Sequence, residues 1–420
     1  MPLGHGPAWY TAAVADVLLG IQTSALRPGH PDFLDLPWRL SIVEWEGVCP
    51  RLERMPVGLS RHPVVFVNYG GRLYACKELP PDVATKEYDL LRRMEELRLP
   101  VVTPVGYVQV RHQDGDAGVL ITRYLDYSLP YHYLFKQPDL TRYRDHLIDA
   151  LAGLLVQLHL AGVYWGDCSL SNTLYRRDAG ALQAYLVDAE TAEVHPELSG
   201  QLRAHDLEIM EENVYGALVD LAAIAALPPD FPVIDVGVEI RRRYDSLWNE
   251  VTRTETVTPE ERFRIRDRIR ALNALGFSVE EVELTAVQGG ERLRLRAFVA
   301  DRNFHRDLLQ NLTGLDAEEA QARQMINEIQ ELRATLSQKE NRSMPLSAAA
   351  YRWLNELYLP IVARLQPLAD KSSQPAELYC ELLEHKWYLS ERAGRDVGHR
   401  AALEDFVRLL SRRAGRPAGG

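Results

Sequence analysis

Cysteine is scarce in this chain. Four occur in 420 residues, Cys49, Cys76, Cys168 and Cys380, and no two stand at CxxC spacing. That argues against a disulfide framework or a zinc site and suits a reducing cytoplasm. Long apolar runs are also missing. No stretch approaches the roughly eighteen successive apolar residues of a membrane-spanning helix. The opening MPLGHGPAWYTAAVADVLLG has no basic leader, and Asp16 interrupts its apolar run, so a secretory signal is not expected. There is no basic excess either. Lys+Arg number 48 against Asp+Glu 59, a net charge of −11, which disfavours nucleic acid as a partner because a polyanion needs a cationic surface. What remains, 46% hydrophobic and 25% charged residues, is ordinary globular composition, long enough for roughly two or three domains. No internal repeat is visible, and only the tail SRRAGRPAGG has low complexity.

One stretch sets polar residues against apolar sequence: Leu158 to Glu190, LHLAGVYWGDCSLSNTLYRRDAGALQAYLVDAE. Asn172 follows Asp167 by five positions. Asp188 follows sixteen later, at the end of the run Ala184-Tyr185-Leu186-Val187. Leu174-Tyr175 and Ala184-Val187 read as two strands with the turn within 176–180, a hairpin that returns Asp188 to Asn172. These residue types suit phosphoryl transfer. A hydroxyl attacking phosphorus needs a carboxylate to orient it and take its proton, and Asp167 can serve. A triphosphate needs a divalent cation. Mg²⁺ prefers hard oxygens and keeps several waters, so Asp188 and Asn172 are enough protein for it. Taken singly, each of the three is an ordinary turn former. Their spacing, with a lysine upstream, favours a site.

Upstream, three strands are expected at Arg54-Val57, Val64-Asn68 and Leu73-Glu78, the last two joined by Tyr69-Gly70-Gly71. Strand alternation in LYACKEL puts Leu73, Ala75 and Lys77 on one face and Tyr74, Cys76 and Glu78 on the other. A lysine beside small apolar neighbours needs a partner for its ammonium. An edge lysine turned to solvent is the plainer alternative. A helix over 82–97 carries Glu87, ten positions after Lys77, and a stripe of Leu90, Leu91 and Met94. Strands at Val101-Val110 and Ala117-Tyr124 complete a five-stranded lobe with one helix.

Lys77, Trp165-Gly166-Asp167 with Asn172, and Asp188-Ala189-Glu190 together resemble the motif set of the protein-kinase-like superfamily. They are most similar to its bacterial lipopolysaccharide-kinase-like branch, whose loop reads HGD. The resemblance implies an α+β bilobal kinase-like fold. The small lobe is a five-stranded antiparallel sheet with one helix, and the large lobe is mainly helical. It implies ATP and Mg²⁺, Lys77 paired with Glu87 and clamping the α- and β-phosphates, Asp167 as base, and Asn172 and Asp188 as metal ligands. Adenine would be held by backbone groups of a hinge over 122–126, at Tyr124 and Leu125. Glu190 fits the acidic third position of small-molecule kinases of this superfamily. His159 matches a helix-terminal histidine and is read as structural. Two departures stand out. Trp165 replaces a histidine and removes an orienting imidazole. GLSRHP replaces the Gly-rich phosphate loop, leaving Gly58, with Ser60, Arg61 and His62 able to touch phosphate. No APE-type motif or long activation segment follows Glu190, which points away from conventional protein kinases.

The expected domains are a helical extension over 1–53, the small lobe over 54–126, the large lobe over 127–230 and a mostly helical domain over 231–420. The extension holds a helix over 8–24, a proline-broken stretch and a short helix over 41–46. The large lobe holds helices over 139–161 and 198–226. Two helices over 233–275 open the last domain, followed by a β-hairpin at 279–299. With Gly289-Gly290 as its turn, Ala286 faces Leu293, Leu284 faces Leu295 and Val282 faces Ala297. On the other face Glu283 meets Arg296 and Thr285 meets Arg294, which favours a charge-paired, solvated surface over an anion site. Helices follow over 317–339, capped by Asp316, over 347–368, and over 375–412 with a break near Gly394. His385, Trp387, Tyr388 and Glu391 cluster in the last of these, either through helix packing or for a protein partner. NLTGLDAEEAQAR and LEHKWYLSERAGRDV resemble an uncharacterised domain that accompanies this kinase-like module in some bacterial proteins.

Two functions stay open. One is ATP/Mg²⁺-dependent phosphotransfer to an unidentified hydroxyl-bearing or protein acceptor, with nucleotidyl transfer as a variant. The other is a pseudokinase or nucleotide-binding scaffold working through its C-terminal helices. The intact Lys77, Asp167, Asn172 and Asp188 favour the first. Trp165 and the missing glycines favour the second.

Overall fold

The computed structural model describes residues 20–55, 61–113, 115–135, 140–224, 226–228, 231–258, 261, 263–287, 292–299, 301–369 and 373–414. The chain forms two compact units, residues 1–175 with 184–242, and residues 176–183 with 243–420.

The first unit is built on an antiparallel sheet of six strands rather than the expected five. They are β1 (Ile21–Leu26), β2 (Leu52–Glu53), β3 (Val64–Tyr69), β4 (Arg72–Leu79), β5 (Pro104–His112) and β6 (Gly115–Arg123), in the order β1-β5-β6-β4-β3-β2. The additional strand is β1. Residues 21–24 were expected to end a helix, but they lie extended along β5, with Ile21 opposite Val110 and Leu26 opposite Gly106. An unpaired edge far along the chain outweighs the local helical spacing. The rest of that expected helix, residues 8–19, falls outside the described residues. Of the strand expected over 54–57, residues 54–55 are not extended into the sheet and 56–57 lie outside the described residues; the short β2 lies just before them.

The extension covers one face of this sheet. Phe33, Leu36, Trp38, Ile42 and Trp45 form a buried cluster with Tyr74, Cys76, Val105, Val108 and Ile121. Each large apolar side chain buried there contributes about 2 kcal/mol of transfer free energy. Glu78 accepts from the Ser41 hydroxyl at 2.9 Å and from the Ile42 N–H at 2.8 Å. The Tyr74, Cys76 and Glu78 face of β4 is therefore taken by the extension. Lys77 projects from the opposite face.

Helix α1 (Pro81–Glu96) follows β4 and buries Ala84, Glu87, Tyr88, Leu91 and Met94. After β7 (Leu129–Pro130) come α2 (Tyr131–Phe135) and α3 (Leu140–Leu160). Leu147, Leu151, Leu154, Leu155 and Leu158 of α3 are all buried, the stripe its spacing implies. Gly162 ends α3 at φ +78°. Strand β8 (Val163–Tyr164) then pairs with β11 (Glu193–Val194). Between them run β9 (Thr173–Asp178) and β10 (Ala181–Leu186), the hairpin whose two ends carry Asn172 and Asp188. Helix α4 (Gly200–Ala223) starts at Ser199, whose hydroxyl accepts from the Leu202 N–H at 3.2 Å. Helix α5 spans Val233–Thr252.

In the second unit β12 (Glu255–Val257), β13 (Val279–Val287) and β14 (Arg292–Val299) form a sheet in the order β12-β14-β13, with α6 (Phe263–Ala274) between the first two. The β13–β14 register is the one expected, with Leu284 opposite Leu295 and Glu283 opposite Arg296. The turn at Gly289-Gly290 lies outside the described residues. Strand β12 and α7 (Phe304–Thr313) have no counterpart in the sequence reading. Helix α8 (Glu319–Glu340) begins not at Asp316, which pairs with Arg306 at 3.1 Å, but after Glu318. Gln321 returns a bond to the Glu318 N–H at 3.0 Å. The helix expected over 347–368 is interrupted. It comprises α9 (Leu346–Arg352), a π turn (Trp353–Tyr358) and α10 (Leu359–Leu365). Pro360 lacks the N–H that a regular helix would bond one turn back, and the widened turn precedes it. Helices α11 (Pro375–Ala393) and α12 (Gly398–Ala414) flank Gly394, the expected break. A partly buried carboxylate ties this core: Glu328 accepts from the Trp353 indole at 2.8 Å and the Tyr379 hydroxyl at 2.6 Å, and bonds His399. Among the described residues no helix is long and apolar enough to cross a membrane.

Gly162 gives a direct test of how the loop after α3 is held. A Cβ there would lie 2.1 Å from the carbonyl oxygen of His195, which is backbone and cannot swing aside. Gly162→Ala combines that clash with an unfavourable φ and is expected to cost about 2 kcal/mol or more, read as a lower urea midpoint at unchanged slope.

Candidate active site

Lys77 enters the site from the centre of β4. Its Nζ lies 2.7 Å from Asp188 Oδ2, 3.0 Å from Glu87 Oε2 and 4.0 Å from Glu190 Oε2. Glu87 is fully buried on the core stripe of α1, not on its exposed side. Its second oxygen accepts the Ala189 N–H at 3.2 Å, and Asp188 Oδ1 accepts the Glu190 N–H at 3.1 Å. One ammonium thus serves three carboxylates. Burial works against the charge on Lys77, but Glu87 and Asp188 outweigh it and hold the ammonium above the usual lysine range. Burial, with Asp188 as a like charge, pushes the Glu87 carboxyl up to about 7 against the attraction of Lys77.

The loop carrying Asp167 is held from below by α4. Asp206, fully buried, accepts the N–H of Trp165 and of Gly166, each at 2.9 Å. His159 Nε2 lies 3.1 Å from the same carboxylate. Burial keeps the His159 ring below the usual histidine range, so it acts as a neutral structural partner. Gly166 stands at φ +76°, and a Cβ there would lie 3.2 Å from the Thr191 carbonyl oxygen. The residue before Asp167 is therefore best filled by glycine. Asp167 Oδ2 accepts from the Asn172 side-chain amide at 3.1 Å, and Oδ1 from the Asn213 amide at 3.0 Å. The Asn172 backbone carbonyl accepts the Val187 N–H at 3.1 Å, which brings the residue before Asp188 against Asn172.

This donor set fits a hard divalent cation. The amide nitrogen of Asn172 is turned to Asp167, so its carboxamide oxygen is the atom left for a metal. The carboxylates around Lys77 carry more negative charge than one ammonium offsets. Among the described residues no group of three or more His, Cys, Asp or Glu is placed to hold a metal. A cation here would rest on Asn172 and Asp188, with other oxygens coming from phosphate and water.

The substitution at Trp165 has a different consequence from the one expected. The indole is buried, and its Nε1–H donates to the Asp188 carbonyl at 3.0 Å. An orienting donor is therefore present. Ahead of β3, Arg61 approaches Asp167 Oδ2 at 3.7 Å and His62 approaches Glu190 at 3.3 Å. Gly58 and Ser60 lie outside the described residues. At the hinge the Tyr124 N–H is bonded to the Leu73 carbonyl at 3.0 Å, and the Leu125 carbonyl accepts the Ser128 N–H at 3.2 Å. The Tyr124 N–H is thus engaged within the sheet.

Sequence reasoning missed Asp206 and Asn213. They are seven positions apart, two helical turns on one face of α4. Polar residues at that spacing among buried Leu207, Met210 and Val214 were the available signal.

Glu87 sets a pH dependence. Its carboxyl titrates near 7 in the folded protein against an ordinary value of 4.5. The stability it contributes is complete below about 4.5 and is lost as pH rises through about 7. Glu87→Gln should flatten this fall by up to about 3 kcal/mol, measured as the difference in urea stability between pH 5 and pH 7.5 without divalent metal. An unchanged slope would contradict the charge excess around Lys77.

Residues 72–224 match the family model described as the lipopolysaccharide kinase (Kdo/WaaP) family. Residues 246–410 match one described as a domain of unknown function, DUF4032. No curated protein matches the chain. A solved structure of WaaP in complex with acyl carrier protein aligns at 17% identity and a TM-score of 0.36, covering 60% of this chain and 94% of that one. Two family models thus account for most of the chain: residues 72–224 are similar to the lipopolysaccharide kinase (Kdo/WaaP) family, and residues 246–410 to DUF4032.

Proposed function

We propose that this protein is an ATP- and Mg²⁺-dependent phosphotransferase that moves the γ-phosphoryl group to a hydroxyl acceptor. One observation carries the reading. Lys77, Glu87 and Asp188, brought together from β4, α1 and the residues after β10, meet within 3.0 Å. Asp167 and Asn172 lie on the adjoining loop. Asp167 takes the proton of the acceptor hydroxyl. The oxygen–phosphorus bond forms as the bond to the β–γ bridging oxygen breaks, and its electron pair leaves with ADP. Lys77 gives up Asp188 and turns its ammonium to the phosphates, with Glu87 still holding it from behind. Asn172 and Asp188 would hold Mg²⁺, which when bound offsets the charge of the phosphates. Arg61 supplies a cationic contact and His62 a ring N–H where a Gly-rich loop would use backbone.

The same two side chains support a second reading. Arg61 already approaches Asp167, and His62 approaches Glu190. A scaffold that binds nucleotide without transferring phosphate could keep such contacts. Exposed Trp387 and Tyr388 on α11 would then serve a protein partner.

Thermal denaturation with ATP, with and without Mg²⁺, separates these readings. Phosphotransfer requires Mg²⁺-dependent stabilisation, about 2.7 kcal/mol at a hundredfold excess over Kd, abolished in Asp188→Ala. Its absence in the native protein sinks the proposal. Label from γ-phosphate in the product then marks a kinase, and label from α-phosphate a nucleotidyl transferase. ATP binding without any labelled product marks a scaffold.

A further inference from the structure

We infer that Asn213 is a positioning residue for Asp167, an inference that rests on the phosphotransfer reading above. The Asp167 carboxylate hangs on a loop, and a base must aim one lone pair at one proton. Each of its oxygens takes an amide donor. Asn172 Nδ2 reaches Oδ2 at 3.1 Å, and Asn213 Nδ2 reaches Oδ1 at 3.0 Å. Asn172 belongs to the same loop, and the reading also gives it a share in holding the cation. Asn213 belongs to α4, the helix whose buried Asp206 already fixes the N–H groups of Trp165 and Gly166. Its amide also donates to the Cys168 carbonyl at 3.1 Å, so one side chain ties both the backbone and the carboxylate to the same rigid element. Arg61, a further neighbour of Asp167 among the described residues, stays at 3.7 Å and is 80% exposed, too loose to aim it. Asn213 makes no contact with Lys77, Glu87 or Asp188 in the hydrogen bonds described. Its effect should therefore fall on the chemical step and not on nucleotide binding.

The test uses full-length native protein, Asn213→Leu, Asp167→Asn and the double variant, with Mg²⁺·ATP hydrolysis as the reaction and water as the acceptor. Asn213→Leu should lower kcat roughly 10- to 100-fold with KM for Mg²⁺·ATP within about twofold. In the Asp167→Asn background the same change should cost less than about twofold, because a residue that acts through Asp167 has nothing left to act on. Losses that multiply, or a KM that rises with kcat unchanged, would mark a mere loop tether and overturn the inference. A harmful Asp167→Asn beside a silent Asn213→Leu overturns the role of Asn213 alone. A silent Asp167→Asn overturns the phosphotransfer reading itself. Asn213→Asp, of equal size, covers a folding failure of the leucine variant or a native protein without turnover. By setting its own carboxylate against that of Asp167, it should lower the urea midpoint. Combined with Asp167→Asn, which restores an amide–carboxylate pair in the opposite sense, it should recover that midpoint. No recovery means the contact does not exist.

Discussion

The ion cluster at Lys77 is the constraint on which the first unit depends. An ammonium on a central strand cannot be buried alone. Its partners come from a helix that follows at once and from a segment more than a hundred residues later. Glu87 is fully buried and Asp188 partly exposed, and between them they offset the cost of turning the lysine inward. The surrounding apolar structure follows from this demand. The opposite face of β4 is closed by Phe33, Trp38 and Trp45, and α1 brings Glu87 in on its core stripe. Among the described residues three carboxylates lie within 4.0 Å of the Lys77 ammonium, a clustering of negative charge that would suit a divalent cation under the reading proposed above.

The second constraint is positional. A polar carboxylate on a loop has no apolar contact of its own to fix its direction, so something rigid must hold it. Helix α4 does this through two side chains on one face. Asp206 fixes the backbone before Asp167, and Asn213 fixes the residue itself. Trp165 completes the frame by bonding the Asp188 carbonyl. An indole N–H donates as well as an imidazole does. Its greater bulk is accommodated because the ring is buried, so the departure from the HGD pattern changes the donor without removing it.

Features set by local rules were legible in the sequence. The Lys77 face of β4, the buried stripe of α3 and the β13–β14 register all follow from strand or helix periodicity alone, and the structure has them. Features set by distant partners were not. Strand β1 looked helical because Ile21 continues an apolar spacing that only the edge of β5 overrides. The start of α8 was misplaced because its first N–H groups are satisfied by Asp178, at 3.0 Å from the Ala320 nitrogen and 2.8 Å from that of Gln321. A local cap at Asp316 was the best guess that neighbours allowed. Asn213 was passed over for a related reason. A half-buried asparagine on a helix says nothing of its target until the loop it meets is known.

A raised carboxyl does not by itself identify a site, and this chain contains the control. Asp178, in the second unit, is pushed up to about 7 by burial and by Glu318, as Glu87 is pushed to about 7 by burial and Asp188. Yet the two clusters differ in what satisfies them. Asp178 accepts two backbone N–H groups at the start of α8. Glu377 beside it accepts the Ala179 N–H and the Gln321 amide, each at 2.8 Å. Backbone donors are fixed, and removing them means unfolding the turn or the helix. That arrangement is structural. At Lys77 the shared donor is the end of a flexible side chain, which can leave Asp188 for another anion without disturbing any strand or helix. Glu87 and Asp188 also take one backbone N–H each, so the distinction between the clusters lies in the mobile side-chain donor they share and not in the perturbation of the acid. That mobility would let the Lys77 cluster admit another anion, as the proposed function requires, whereas the Asp178 cluster holds the hairpin tip in place.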